Sequence, residues 1–373
     1  MAASERIIVG LSGGVDSAVA AARLLEAGHR VEGLFMKNWE DDDADGHCAA
    51  EDDYAMAREV AATLEIPLHK ANFAEDYRQR VFQQFLHEYR AGRTPNPDIL
   101  CNREIKFRSF LEQAQALGGE AIATGHYARA WHGPDHSELR VAADANKDQT
   151  YFLHALDQAQ LRPARFPLGD LTKERVREIA RERGLPNHAR KDSTGICFIG
   201  ERPFREFLAR YLEGSEGDIC TPDGRAIARH HGLMFYTLGQ RQGLGIGGVE
   251  GAADAPWYVV DKDLAGNRLI VAQDSAHPLL MSPELMTEPV HWIHRVPADG
   301  ERLQARLRHR QPLQDCRIHL AADGRARVVF DQPQRAATPG QSVVFYHDGT
   351  CLGGGVIATR RTLPSDTPVA AGA

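Results

Sequence analysis

The chain has 373 residues, 43% of them hydrophobic and 25% charged, with a formal net charge of −7. That length exceeds one ordinary core, so two or three domains are expected, and the composition is that of a soluble globular protein. No stretch approaches the ~18 apolar residues of a membrane span, and the first residues enter a strand pattern at once, which argues against a secretory leader.

Cysteines stand at Cys48, Cys101, Cys197, Cys220, Cys316 and Cys351, with no CxxC spacing. A zinc or iron–sulfur site on paired cysteines is therefore disfavoured, and a cytoplasmic location with reduced thiols is expected. Charge is unevenly spread. Residues 40–53 carry eight acids and no Lys or Arg, whereas residues 161–210 carry twelve Lys and Arg against seven Asp and Glu. Without the acidic stretch the body is nearly neutral with a basic middle, which permits a polyanionic partner.

In chain order, residues 6–12 (RIIVGLS) read as a short buried strand, and SGGVDS leads into an alanine-rich helix ended by Gly28. RVEGLFMKNW is a second strand, the acidic stretch a loop, and residues 50–64 a helix. PLHKANF is a third strand. Residues 75–90 form a helix whose Tyr77, Val81, Phe85 and Tyr89 recur every four positions. PNPDILCNREIKF (95–107) reads as a proline-stiffened polar loop, followed by a helix to about Leu117 and the strand AIATGHYAR. Alternating strands and helices predict an α/β domain with a parallel sheet covered on both faces, and such sheets bind ligands beyond the carboxyl ends of their strands. Near residue 210 the pattern changes to Gly-rich, short-strand sequence. From about 281 apolar and polar residues alternate around turns, as in a small antiparallel β-barrel. The expected divisions are 1–210, a small central domain 211–280, a barrel 281–363, and a disordered tail 364–373.

Three stretches carry chemistry. In SGGVDS, Gly13 and Gly14 allow a tight turn and close approach of a ligand. Ser12, Ser17 and the helix-opening amides can donate to phosphate oxygens. The spacing is not GxxxxGK[ST], so this is not the common nucleotide loop. Asp16 at a phosphate can serve only as a magnesium ligand or an orienting acceptor. Cys101 stands three residues after Asp98 in the proline-rich stretch, an unusual setting for a residue that normally packs as a small hydrophobe. Arg103 and Lys106 would favour its thiolate and Asp98 would oppose it. Cys197 lies between Ile196 and Phe198, which taken alone suggests core, but its polar approach (Arg190 to Gly195) suggests a mobile loop.

GLSGGVDSAV resembles the pyrophosphate (PP) loop of the N-type ATP pyrophosphatases, which adenylate a carbonyl oxygen and release pyrophosphate. NPDILCNREIKF, ATGHYAR, KDQTYFL, KDSTGICFIG and TLGQRQGLGIGG narrow the resemblance to the tRNA-specific 2-thiouridylases, over residues 6–360. The resemblance implies ATP and Mg2+ as cofactors, with Gly10, Leu11, Ser12, Gly13, Gly14, Val15, Asp16 and Ser17 at the phosphates and Met36 and Gly125 bordering the adenosine. It implies Cys101 as nucleophile, Cys197 as persulfide carrier, a transient Cys101–Cys197 disulfide, and Asp98 as acid or base. Asn96, Pro97 and Asp98 would receive a flipped uridine, since chemistry on a ring atom requires an exposed base. His126, Lys147, Asp148, Gln149, Arg308, His309 and Gln341 would contact tRNA. The implied partners are tRNA and a sulfur-relay protein or cysteine desulfurase, with no membrane, the protein being otherwise monomeric. Two other readings stay open: an adenylating enzyme of the same fold acting on a small metabolite, and a non-catalytic RNA-binding or sulfur-relay module.

Overall fold

The computed structural model describes residues 4–40, 49–191 and 204–364. The acidic residues 41–48, the segment 192–203 with Cys197, and all but the first residue of the expected tail lie outside the described residues.

Among the described residues, seven strands precede residue 200: β1 (Arg6–Gly10), β2 (Arg30–Lys37), β3 (Leu68–Asn72), β4 (Ala121–Ala123), β5 (Arg129–His132), β6 (Ser137–Arg140) and β7 (Ala164–Arg165). Five of them form a parallel sheet in the order β3-β2-β1-β4-β7. The order reverses at β1, so β1 and β4 diverge at a switch point where a crevice opens beyond their carboxyl ends. Alternation along β1 sends Ile7 and Val9 into one core and Ile8 into the other. One face is covered by α1 (Val15–Glu26) and α2 (Ala49–Thr63), the other by the helical run 74–90 with the expected Tyr77, Val81, Phe85 and Tyr89 stripe buried. Gly28, at φ +86°, ends α1 in the left-handed turn that favours glycine.

Two expectations change. AIATGHYAR is not one strand: β4 stops at Ala123, and Gly125 turns against the start of α1, where a Cβ would lie 2.8 Å from both the Asp16 carbonyl carbon and the Ser17 nitrogen. PNPDILCNREIKF is not a loop but the start of a long helix. Asn96 caps it, its Oδ1 accepting from the Asp98 amide at 3.1 Å, and Pro97 occupies the first turn, where no N–H is needed. The helix runs on through a π-helical stretch, Cys101–Ser109, into Phe110–Ala116. Insertions of this kind favour functional sites.

The remaining strands form the expected two β units. Gly217–Cys220, Ala226–His230, Trp257–Asp263 and Arg268–Gln273 make a four-stranded sheet. Six antiparallel strands between Met281 and Arg361 close a barrel, because Met281–Thr287 pairs with both Ala326–Arg335 and Thr350–Arg361. The β5–β6 hairpin leaves the first domain and extends the barrel sheet, with Leu139 opposite Cys351 and Arg140 opposite Thr350. Sequence patterning gave no sign of this exchange.

Candidate functional site

The turn after β1 builds the centre of the site. Gly13 adopts φ +76°, and a Cβ there would meet the Asp53 carbonyl at 2.5 Å, so only glycine fits. Behind the turn, Ser17 Oγ donates to the Gly14 carbonyl at 3.0 Å, and Ser12 N donates to Ser17 Oγ at 3.2 Å. Asn187 Nδ2 donates to the Gly13 carbonyl at 2.9 Å, and Arg190 binds the same oxygen and pairs with Asp53. Gly10, Met36 and Gly125 converge here: Met36 Cε is 3.1 Å from where a Gly10 Cβ would sit, and Gly125 packs on Asp16 and Ser17. The result is a rigid, glycine-lined cradle at a helix N-terminus, suited to phosphate oxygens.

Asp16 is engaged. Lys173 Nζ lies 2.7 and 2.9 Å from its two carboxylate oxygens, and Tyr127 Oη donates to Oδ1 at 2.8 Å. The Lys173 side chain is 9% exposed, so its ammonium is held close to the cradle largely out of water. Gln149 Oε1 accepts from the Tyr127 amide at 2.9 Å and steadies that tyrosine. Sequence reasoning missed Lys173, Tyr127, Asn187 and Arg190. Lys173 is separated from Asp16 by 157 positions, and only its place at the start of the helix Lys173–Glu182, capped by Thr172, marks it locally.

Cys101 lies on the inner side of its helix, with no exposed surface, in the core that contains Ile99, Ile105, Phe107 and Phe110. Its helix reaches the cradle through Phe110, whose Cε1 is 3.5 Å from the Gly10 Cβ position. One turn before Cys101, Asp98 Oδ1 is buried without a hydrogen-bond partner among the described residues. An orphan carboxylate oxygen of this kind calls for a donor from elsewhere. Cys197 lies outside the described residues.

Of the residues expected to meet tRNA, Asp148, His309 and Gln341 lie at the seam between the first domain and the barrel. Asp148 is 2% exposed, pairs with Arg306 at 3.1 Å, and accepts from the Ala142 amide and Thr150 Oγ1. His309 Nε2 contacts the Asp148 carbonyl at 2.7 Å, while Arg308 is exposed and reaches the Ala336 carbonyl. Gln341 Nε2 donates to the Thr94 carbonyl at 2.7 Å, tying the barrel to the residue before Pro95 and Asn96. Lys147 is half-buried in a turn closed by its amide on Asp144. His126 is buried with Nδ1 2.8 Å from Thr124 Oγ1, and burial together with nearby Lys106 holds its pKa well below the ordinary value, so it is neutral. Among the described residues, no helix is long and apolar enough to cross a membrane.

Three family models cover the chain: the tRNA methyl transferase HUP domain over residues 5–201, the tRNA methyl transferase PRC-barrel domain over 205–273, and the aminomethyltransferase beta-barrel domain over 282–357. The tRNA-specific 2-thiouridylase MnmA of Alcanivorax borkumensis is 58% identical across 94% of this chain and 97% of its own. The same-named proteins of Alkalilimnicola ehrlichii and Pseudomonas aeruginosa are 56% and 55% identical, across 96% and 95% of this chain and 99% and 95% of theirs. Among solved structures, a 4-thiouridine synthetase–RNA complex with bound ATP matches 55% of this chain and 50% of that one, at 19% identity and a TM-score of 0.35.

Proposed function

The chain belongs to the tRNA-specific 2-thiouridylase family, and from that premise we propose a mechanism for its thiolation of tRNA uridine: ATP-dependent replacement of oxygen 2 of the wobble uridine by sulfur. The reading rests most heavily on near full-length identity of 55–58% to proteins of that name. The cradle at residues 10–17 supports it, being shaped for the phosphates of ATP, with Met36 and Gly125 flanking the nucleoside.

In this mechanism uridine O2 attacks the α-phosphate, pyrophosphate leaves, and the adenylated oxygen becomes a good leaving group. Lys173, paired with Asp16, places a buried positive charge beside the phosphates, where charge stabilisation is usually the largest catalytic contribution. Both Asp16 oxygens already face Lys173 or Tyr127. We therefore assign Asp16 the orienting role; Mg2+ would be held with the nucleotide's phosphates at the cradle of residues 10–17, where it would supply further neutralisation of their charge. Asn96, Pro97 and Asp98 border the extruded base, with the unpartnered Asp98 oxygen taking or returning a proton at its carbonyl. Cys197 carries a persulfide supplied by a sulfur-relay protein or cysteine desulfurase. In one order its outer sulfur attacks carbon 2, AMP departs, and Cys101 then attacks the Cys197 sulfur to free the 2-thiouridine. In the other, Cys101 attacks Cys197 first, releasing the outer sulfur as sulfide, which adds to carbon 2 and displaces AMP. Either way a Cys101–Cys197 disulfide is left for an external reductant. Lys147, Gln149, Arg308, His309 and Gln341 supply the tRNA-facing surface, with buried Asp148 and neutral His126 supporting it from behind. A cytoplasmic monomer suffices for all of these steps.

Incubating the protein with tRNA and ATP but no sulfur donor tests the adenylation step. Pyrophosphate release that depends on a tRNA with a wobble uridine is expected. Release that is independent of tRNA, or driven by a small metabolite instead, would favour another adenylating activity.

A further inference from the structure

Away from the cradle, where the β5–β6 hairpin meets the connection between the barrel strands Met281–Thr287 and Arg302–Arg306, His136, Glu138 and His294 offer ligand atoms all within 4.8 Å of one another. Their arrangement has features of a prepared cation site. Glu138 divides its oxygens: Oε2 accepts from Arg140 Nε at 2.8 Å, while Oε1 faces His136 Nε2 at 3.4 Å. That second distance is long for a hydrogen bond. It matches the edge of a tetrahedron, because ligands at about 2.0–2.1 Å from zinc stand about 3.3–3.4 Å apart. Arg140 then acts as the outer partner that orients a ligating carboxylate.

The two imidazoles lie nearly parallel, 7° apart with centroids at 5.2 Å, and among the described residues His294 Nδ1 is buried without a hydrogen-bond partner.

One side chain fixes the three residues relative to one another. Gln158 Oε1 accepts from the Ser137 amide at 2.7 Å, and its Nε2 donates to the carbonyls of Ser137 at 2.9 Å and Ile293 at 2.8 Å. Ser137 lies between His136 and Glu138, and Ile293 precedes His294. The clamp therefore sets the hairpin and this barrel connection in register at the positions that carry the ligands. His136 is partly exposed, which leaves a fourth position open to water.

We propose that His136, Glu138 and His294 bind a borderline divalent transition metal, zinc foremost, which fastens the β5–β6 hairpin to the barrel. Two imidazoles and a carboxylate suit Zn2+ and disfavour Mg2+ or Ca2+.

The full chain, stripped with a chelator, is titrated with Zn2+ against a chromogenic indicator and with Co2+ by visible absorption. The expected result is one site per chain whose cobalt spectrum shows nitrogen and oxygen ligation without thiolate charge transfer. His294→Ala should weaken binding by more than the roughly 10- to 100-fold that loss of an outer partner costs. Glu138→Gln should weaken it as well, and the exposed barrel variant His347→Asn should leave it unchanged. Zn2+ should raise the melting temperature of the wild type, since a ligand of the folded state stabilises it. It should not do so for His294→Ala, with circular dichroism confirming that both variants are folded. Absence of binding at micromolar Zn2+, wild-type affinity in His294→Ala or Glu138→Gln, or a thiolate spectrum would overturn the assignment.

Discussion

Lys173→Met removes the ammonium beside the cradle and preserves most of the side chain's volume. At 2.7 Å the Lys173–Asp16 attraction is about 6 kcal/mol with an effective dielectric of about 20. Most of that is offset by the cost of taking the lysine out of water. Asp16 is 32% exposed and keeps its Tyr127 hydrogen bond, so its carboxylate can recover hydration. The loss of fold stability should therefore stay at about 1–3 kcal/mol. Catalysis should suffer more. Removing one preorganised charge from a phosphoryl-transfer site should slow adenylation by about 10²- to 10³-fold. Pyrophosphate release with tRNA and ATP measures that step, and filter binding of tRNA, expected to be unchanged, shows that the surface is intact. Wild-type pyrophosphate release by the variant would refute the role given to the Lys173–Asp16 pair.

Cys197→Ser should abolish persulfide loading, whereas Cys101→Ser should load sulfur yet fail to turn over; mass mapping of each variant after exposure to a donor distinguishes them. Because Cys101 is wholly buried, its disulfide with Cys197 requires backbone movement if their Cα atoms start more than about 7 Å apart, so alkylation of Cys101 should be slow until tRNA and ATP are added. Asp148→Asn leaves buried Arg306 without its partner and should cost about 3–5 kcal/mol, read as a lower melting temperature, with Arg306→Met in the same chain recovering much of the loss. Burial pushes His154 down to about 3. Between pH 6.5 and that value the unfolded chain takes up a proton that the folded chain refuses, so stability falls with pH at about 1.4 kcal/mol per unit. His154→Gln lacks this loss, and its stability gap to the wild type should narrow between pH 7 and pH 5 in denaturant titrations; a constant gap would contradict the burial argument.

What could be read from sequence was what depends on neighbours in the chain. β1, its glycine turn and α1 follow one another directly, so the cradle was legible from residues 6–26. The barrel was legible because each hairpin carries its own alternation and turn. Contacts between distant segments were hidden. Lys173 reaches Asp16, and Leu139 pairs with Cys351, only after the domains assemble. The stretch around Cys101 misled for a different reason: two prolines suggested a stiff loop, whereas Pro97 stands at the helix position that tolerates it and Asn96 supplies the cap. The buried cysteine then follows from the helix, because Cys101 shares its inner face with Ile105.

The most direct test of the central claim is nucleoside mass spectrometry of tRNA incubated with the purified protein, ATP and a persulfide donor. The account predicts 2-thiouridine at the wobble position, formed only when ATP is present and lost in Cys101→Ser. Sulfur appearing at another atom or another position, or forming without ATP, would contradict it.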